Sequence, residues 1–240
     1  MSAQPRPPLC EFEVVALDLD GTLVDSAPDL AGAVNRALAA EGAPTLSEAR
    51  VIAMIGDGFE TLVQRALAVS RGRPPTTPEV EACAARVVAE YERRVAARSA
   101  PYPGVRAALE DLAASGFVLC CVTNKYAHLS LPLLRALDLE RCFDHVLCAE
   151  HAAERKPAPD LLAEVCRRTG AAPAKVLMVG DTRDDIHAAR AAGCRVAAVT
   201  YGYNSAPALA DAAPDWLIDS LHMLTALASP APRRAPTTEA

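Results

Sequence analysis

The sequence predicts an α/β fold: a Rossmann-like parallel sheet core with helices on both faces, plus a small inserted all-helical domain. Three observations predict it. Short apolar runs recur along the chain and stop at polar residues, as strands buried on both faces do. Amphipathic helical stretches separate those runs, which is the alternation of a doubly wound sheet. Between 27 and 100 the alternation lapses, and only helical periodicity is present.

Element by element, the first strand is 14–17, ending at Asp18. The insertion follows with three apolar stripes at helical spacing: Leu30, Val34 and Leu38; Phe59, Leu62, Val63, Ala66 and Leu67; then Val80, Ala84, Val87, Val88, Tyr91 and Val95. The proline-rich 71–78 is read as a loop. A helix at 105–114 precedes Gly116, a strand at 118–122 ends at Thr123, and a helix covers 129–137. A weaker strand at 146–148 leads to a helix at 160–168 before Gly170. Strands at 176–179 and 196–199 enclose a helix at 186–192 before Gly193, and 216–218 forms a short edge strand. Glycine just past a helix supplies the left-handed residue that stops it. The chain thus divides into a discontinuous core of 1–26 and 101–228, a helical cap of 27–100 and a disordered tail of 229–240.

Composition narrows the function. The chain has 240 residues, a net charge of −6 and 4% aromatic residues. An acidic, aromatic-poor protein has neither the basic field nor the stacking platforms expected of a nucleic-acid binder. No apolar run is long enough to span a membrane, and 1–8 lacks the apolar core of a signal peptide. The eight cysteines include no CxxC pair, so reduced thiols in a cytoplasmic protein are expected. Cys142, His145, Cys148 and His151 lie close together without a standard zinc spacing. The expected partner is a small phosphorylated metabolite; no nucleic acid or membrane partner is expected, and the sequence leaves oligomeric state open.

The chemistry concentrates at strand ends. Asp18-Leu19-Asp20-Gly21-Thr22 puts two carboxylates on one side of an extended chain at the end of a buried strand. Paired negative charges there need an offset, and a hard divalent cation such as Mg²⁺ is the simplest one. Gly21 permits a tight turn whose amides can hold an anion. A calcium loop is ruled out because Leu23 stands where that loop requires glycine. The later strand ends add Thr123-Asn124-Lys125, then Lys156-Pro157, then Asp181 and Asp185. Ligands bind at the carboxyl ends of such strands, so a metal cluster, a hydroxyl, a lysine and an attacking carboxylate converge on one edge. No GxGxxG follows the first strand, which sets aside a dinucleotide-dependent dehydrogenase.

Four motifs in order carry a family resemblance: Asp18-Leu-Asp-Gly-Thr-Leu-Val-Asp25-Ser26, Val-Thr123-Asn124-Lys125, Lys156-Pro157 and Gly180-Asp181-Thr-Arg-Asp-Asp185. On these the sequence resembles the haloacid dehalogenase superfamily of phosphotransferases, with the helical insertion where that family carries its cap. It is most similar to the bacterial phosphoglycolate phosphatase branch, on Ile55-Gly56-Asp57-Gly58, Tyr102-Pro103-Gly104-Val105 and Thr200-Tyr201-Gly202-Tyr203-Asn204. Tyr126 departs from the proline often found after the Thr-Asn-Lys motif.

The resemblance implies an Mg²⁺-dependent phosphomonoester hydrolase. Asp18 would attack phosphorus to form an aspartyl-phosphate, and Asp20 would protonate the leaving oxygen and then activate water. It further implies metal ligation by the side chains of Asp18 and Asp181 and the backbone carbonyl of Asp20, with Asp185 a minor or outer ligand. Thr123, Lys156, Asn124 and the amides after Asp18, including that of Gly21, would bind phosphate. In the cap, the turn 56–59 would close over the site, and Arg65 is a candidate partner for a substrate carboxylate. The acid at Asp20 argues against dehalogenation, since halide leaves without a proton. 2-Phosphoglycolate is the leading substrate; a sugar phosphate or pyrophosphate, a phosphomutase and a non-catalytic binding module are the alternatives, in that order.

Overall fold

The computed structural model describes residues 11–55 and 58–227; the expected tail and the Gly56-Asp57 part of the cap turn lie outside it. Six parallel strands form one sheet in the order β5-β4-β1-β6-β7-β8. These are β1 (Val14–Leu17), β4 (Val118–Val122), β5 (His145–Leu147), β6 (Val176–Gly180), β7 (Arg195–Val199) and β8 (Trp216–Ile218). The chain builds outward from β1 to β5, then returns to the other side of β1 for β6, so β1 sits at the reversal of strand order, where open α/β sheets bind ligands.

Residue alternation along β1 sorts its side chains between two cores. Val15 and Leu17 join the cluster under α5 (Val105–Ala114), α6 (Ala127–Ala136) and α10 (His222–Leu227). Val14 and Ala16 join the opposite cluster under α7 (Asp160–Thr169) and α8 (Arg183–Ala192). Every residue of β1 is buried, which is why the strand reads as a continuous apolar run. A short α9 (Ala206–Asp211) precedes the edge strand β8. Among the described residues, no helix is long and apolar enough to cross a membrane.

Between β1 and β4 run α1 (Ala27–Ala40), α2 (Glu48–Ile52), α3 (Phe59–Arg71) and α4 (Thr77–Glu92). α1 packs on each of the other three, and α3 packs on α4. Their apolar stripes make a third cluster, which Leu129 of α6 joins from below. Several expected boundaries shift. The proline-rich loop is shorter than 71–78: α3 continues through Arg71 and stops at the left-handed Gly72 (φ 65°), while Thr76 and Glu79 form a capping box that starts α4. Capping likewise starts α8 at Arg183, ahead of its first apolar residue.

The shortest elements lack a sequence signal because they cannot show periodicity. α2 has five residues. The two-residue strands β2 (Val24–Asp25) and β3 (Ala100–Pro101) pair antiparallel where the chain enters and leaves the helical segment. Asp29 reinforces this junction: its buried carboxylate accepts from the backbone N–H of Arg98 (2.9 Å), and from the N–H and Oγ–H of Ser99 (2.8 and 2.7 Å).

Candidate active site

Strand register brings the predicted residues together. Leu17 lies between Cys121 of β4 and Val179 of β6, so Asp18, Thr123 and Asp181 emerge at one sheet edge. Asp18 donates its backbone N–H to Val179 O at 2.9 Å, and its Oδ1 accepts from Lys156 Nζ at 2.7 Å. Lys156 also donates to Asp185 Oδ1 (2.6 Å) and to the carbonyl of Val122 (2.9 Å). The lysine is buried and has used all three of its donors.

Asp181 and Asp185 are fully buried beneath this pair. Asp181 accepts from Thr22 Oγ1 at 3.0 Å and from the Tyr203 N–H at 2.8 Å. Asp185 is the third residue of α8, and its Oδ2 closes the capping box by accepting from Thr182 N–H (3.0 Å) and Oγ1 (2.6 Å). Three glycines make room for these acids: a Cβ on Gly21 or Gly202 would enter the Asp181 carboxylate, and one on Gly180 would enter that of Asp185. Gly21 also holds φ at 86°, a conformation that favours glycine.

The electrostatics are those of an anionic cluster with one cation. Burial pushes the Asp18 carboxyl up to about 7, against the pull of Lys156 and with a further push from Asp185. Burial first, then Asp18 and Asp185, hold Asp181 well above the ordinary carboxyl range. Burial works against the charge of Lys156, but Asp18 and Asp185 together outweigh it and raise its proton affinity. One oxygen from each of Asp18, Asp181 and Asp185 lies within 4.8 Å of the others. Ionised, these three acids exceed the single lysine by two charges, which fits a hard divalent cation with oxygen ligands.

Asp20 sits apart from that cluster. Its Oδ1 accepts from Lys125 Nζ at 2.9 Å and from Ser26 Oγ. The hydroxyl oxygen of Tyr203 accepts from the N–H groups of Ser26 and Ala27, each at 3.0 Å, fixing the turn that presents Ser26. Lys125 also donates to the hydroxyl of Tyr91 on α4 at 2.9 Å. A cavity of about 380 Å³ opens over this layer, lined below by Asp18, Asp20, Thr123, Lys125 and Lys156. Leu30, Ile55, Phe59, Val88 and Tyr91 line it from the helical segment.

Three expected residues are engaged differently. The Gly21 N–H donates to Val24 O at 2.9 Å, so its contribution is the turn and the space beside Asp181. Asn124 spends both ends of its amide on the backbone of Lys156, donating to the carbonyl and accepting from the N–H at 2.9 Å each; it positions the lysine. Arg65 is exposed and donates to Met54 O at 3.5 Å, outside the set of residues lining the cavity. Leu62, Val63, Ala66 and Leu67 form the buried face of α3, and helical phase turns Arg65 away from it. Ser26, Tyr91, Tyr203 and the interactions of Lys125 were missed by sequence reasoning. His151 Nδ1 accepts from the Cys148 N–H at 2.9 Å, and the Cys142–His151 group forms no metal cluster among the described residues.

Residues 15–199 match the family model of the haloacid dehalogenase-like hydrolases. The chain belongs to that family. A phosphoglycolate phosphatase of Shigella boydii is 41% identical over 233 residues, covering 90% of this hydrolase and 92% of the relative. One of Haemophilus influenzae is 39% identical, covering 89% and 97%. The crystal structure of a predicted phosphoglycolate phosphatase from Haemophilus somnus superposes with a TM-score of 0.84 at 35% identity, covering 91% of this hydrolase and 99% of that chain.

Proposed function

We propose that this hydrolase is an Mg²⁺-dependent phosphatase that converts 2-phosphoglycolate and water to glycolate and phosphate. The observation that carries the reading is the buried Asp18–Lys156–Asp185 arrangement at the floor of a cavity, with a second, less buried carboxylate, Asp20, beside it. Segment 27–100 acts as a cap over the core formed by 1–26 and 101–228. The free cysteines among the described residues support a cytoplasmic setting.

In the first step an Asp18 oxygen attacks phosphorus, the bond from phosphorus to the glycolate oxygen breaks, and Asp20 gives that oxygen its proton. In the second, water attacks the same phosphorus, Asp20 takes the proton back, and phosphate leaves as the Asp18 carboxylate is restored. Lys156 counters the repulsion between an anionic nucleophile and an anionic substrate, and Thr123 with the backbone N–H groups of Leu19 and Asp20 holds the phosphate oxygens. Asp18 and Asp181 would hold the cation through their side chains and Asp20 through its carbonyl, with Asp185 behind them. Bound there, Mg²⁺ supplies charge neutralisation to the transferring group. The relatives' names support 2-phosphoglycolate as the substrate.

The test is phosphate release from a phosphomonoester panel, with Mg²⁺ and with EDTA. Metal-dependent turnover preferring 2-phosphoglycolate is expected. Turnover spread over sugar phosphates or pyrophosphate would replace the substrate, and no turnover by folded protein would overturn the reading.

A further inference from the structure

Lys125 and Lys156 both line the cavity and are engaged differently. Lys156 donates to Asp18, Asp185 and Val122 O, which exhausts an ammonium. Lys125 donates to two acceptors, Asp20 Oδ1 and the Tyr91 hydroxyl. One of its three N–H groups is therefore uncommitted among the described residues. Its side chain keeps 13% of its surface exposed.

The location of that donor matters. If Asp20 protonates the oxygen leaving phosphorus, an ammonium 2.9 Å from Asp20 Oδ1 lies beside the first atoms of the leaving group. In a leaving group O–CH₂–COO⁻, bond lengths of about 1.5 Å bring a carboxylate oxygen to about 3 Å from the leaving oxygen. A single lysine can then touch the acid and the substrate carboxylate together. The other candidate cations are placed less well. Arg65 is exposed and does not line the cavity, and Arg155 donates to the Tyr126 hydroxyl while stacking 4.6 Å from that ring.

We propose that Lys125 is the specificity-determining cation of this site, holding a carboxylate borne on the carbon next to the leaving oxygen. Tyr91 positions it from the cap helix α4, through its hydroxyl and through a ring face 4.3 Å from Nζ. The inference rests on the phosphatase reading above.

The test compares kcat/KM for 2-phosphoglycolate with that for 2-hydroxyethyl phosphate, which has a similar leaving oxygen and no carboxylate. Lys125→Met, Lys125→Gln and Arg155→Met are measured beside the parent protein; Gln keeps a donor to Asp20 and Tyr91 but no charge. For both Lys125 variants the expected loss is about 100-fold on 2-phosphoglycolate, largely in KM, and less than about 10-fold on the alcohol. Lys125→Arg should recover part of the preference, and Arg155→Met should retain it. Equal losses on both substrates would overturn the inference, leaving Lys125 as a positioning residue for Asp20. A selective loss in Arg155→Met alone would overturn it too. A parent protein active on both without preference sinks this inference only; one active on neither sinks the phosphatase reading and this inference with it.

Discussion

Lys156 Nζ and Asp18 Oδ1 meet at 2.7 Å although 138 residues separate them in sequence. The contact joins the end of the first strand to a loop held in place by Asn124. It puts the one fully committed lysine of the site against the carboxylate proposed to attack phosphorus, so charge balance at the nucleophile depends on the whole core.

Replacing Lys156 with Met should therefore lower turnover by about 10³-fold. It should also destabilise the metal-free protein by about 3–5 kcal/mol, because removing one partner leaves buried carboxylates uncompensated. Steady-state phosphate release and urea denaturation read the two effects separately. Normal turnover in this variant would remove the lysine from the mechanism.

Asp18→Asn and Asp20→Asn should fail at different points. With radiolabelled substrate and acid quench, Asp18→Asn should trap no phosphoenzyme. Asp20→Asn should form it slowly from an alkyl phosphate, with a loss of about 10²–10⁴-fold, and much less slowly from p-nitrophenyl phosphate, whose leaving group needs no proton. A phosphoenzyme in Asp18→Asn would reassign the nucleophile.

Asp18 carries a pH dependence whose sign follows from its environment. Burial lifts its folded pKa from 3.8 to about 7. The folded state then binds this proton more tightly than the unfolded chain, so in metal-free protein this group's contribution to stability falls as pH rises between about 4 and 7. A divalent cation competes for the same carboxylate, and its stabilising effect should grow across that window. Melting temperatures with EDTA and with Mg²⁺ at several pH values measure both trends. The acid limb of kcat/KM should move to lower pH as Mg²⁺ is raised, and an acid limb independent of Mg²⁺ would count against Asp18 as a ligand.

Asp29→Ala tests the junction away from the chemistry. It strands the N–H groups of Arg98 and Ser99 and the Ser99 hydroxyl, at a cost of about 2–3 kcal/mol. Urea midpoints should fall accordingly. A loss under about 0.5 kcal/mol would mean that water replaces the carboxylate.

Much of the core was legible because its strands are buried on both faces and its ligands lie at strand ends. Leu17 leads directly into Asp18, and Val122 into Thr123, so apolar runs located the acid and hydroxyl without coordinates. What was hidden depends on partners far apart in sequence. Tyr91 sits on an apolar stripe and reads as packing, yet its hydroxyl is 2.9 Å from Lys125 Nζ. Gly202 looks like a loop glycine until Asp181 is seen to occupy the space a Cβ would take. Arg65 shows the converse: its residue type suits a carboxylate, but the side chain is exposed and does not line the cavity.

The pairing of Asp25 with Ala100 has one further consequence. Because those residues are opposite neighbours on an antiparallel ribbon, their Cα atoms are about 5 Å apart. The segment between them starts and finishes at one point on the host, as an insert does at a cloning site. A foreign helical bundle with similarly adjacent termini can be spliced there without stretching the sheet, which makes this junction a natural place to exchange one set of pocket-roof residues for another while the phosphate-transfer floor stays the same.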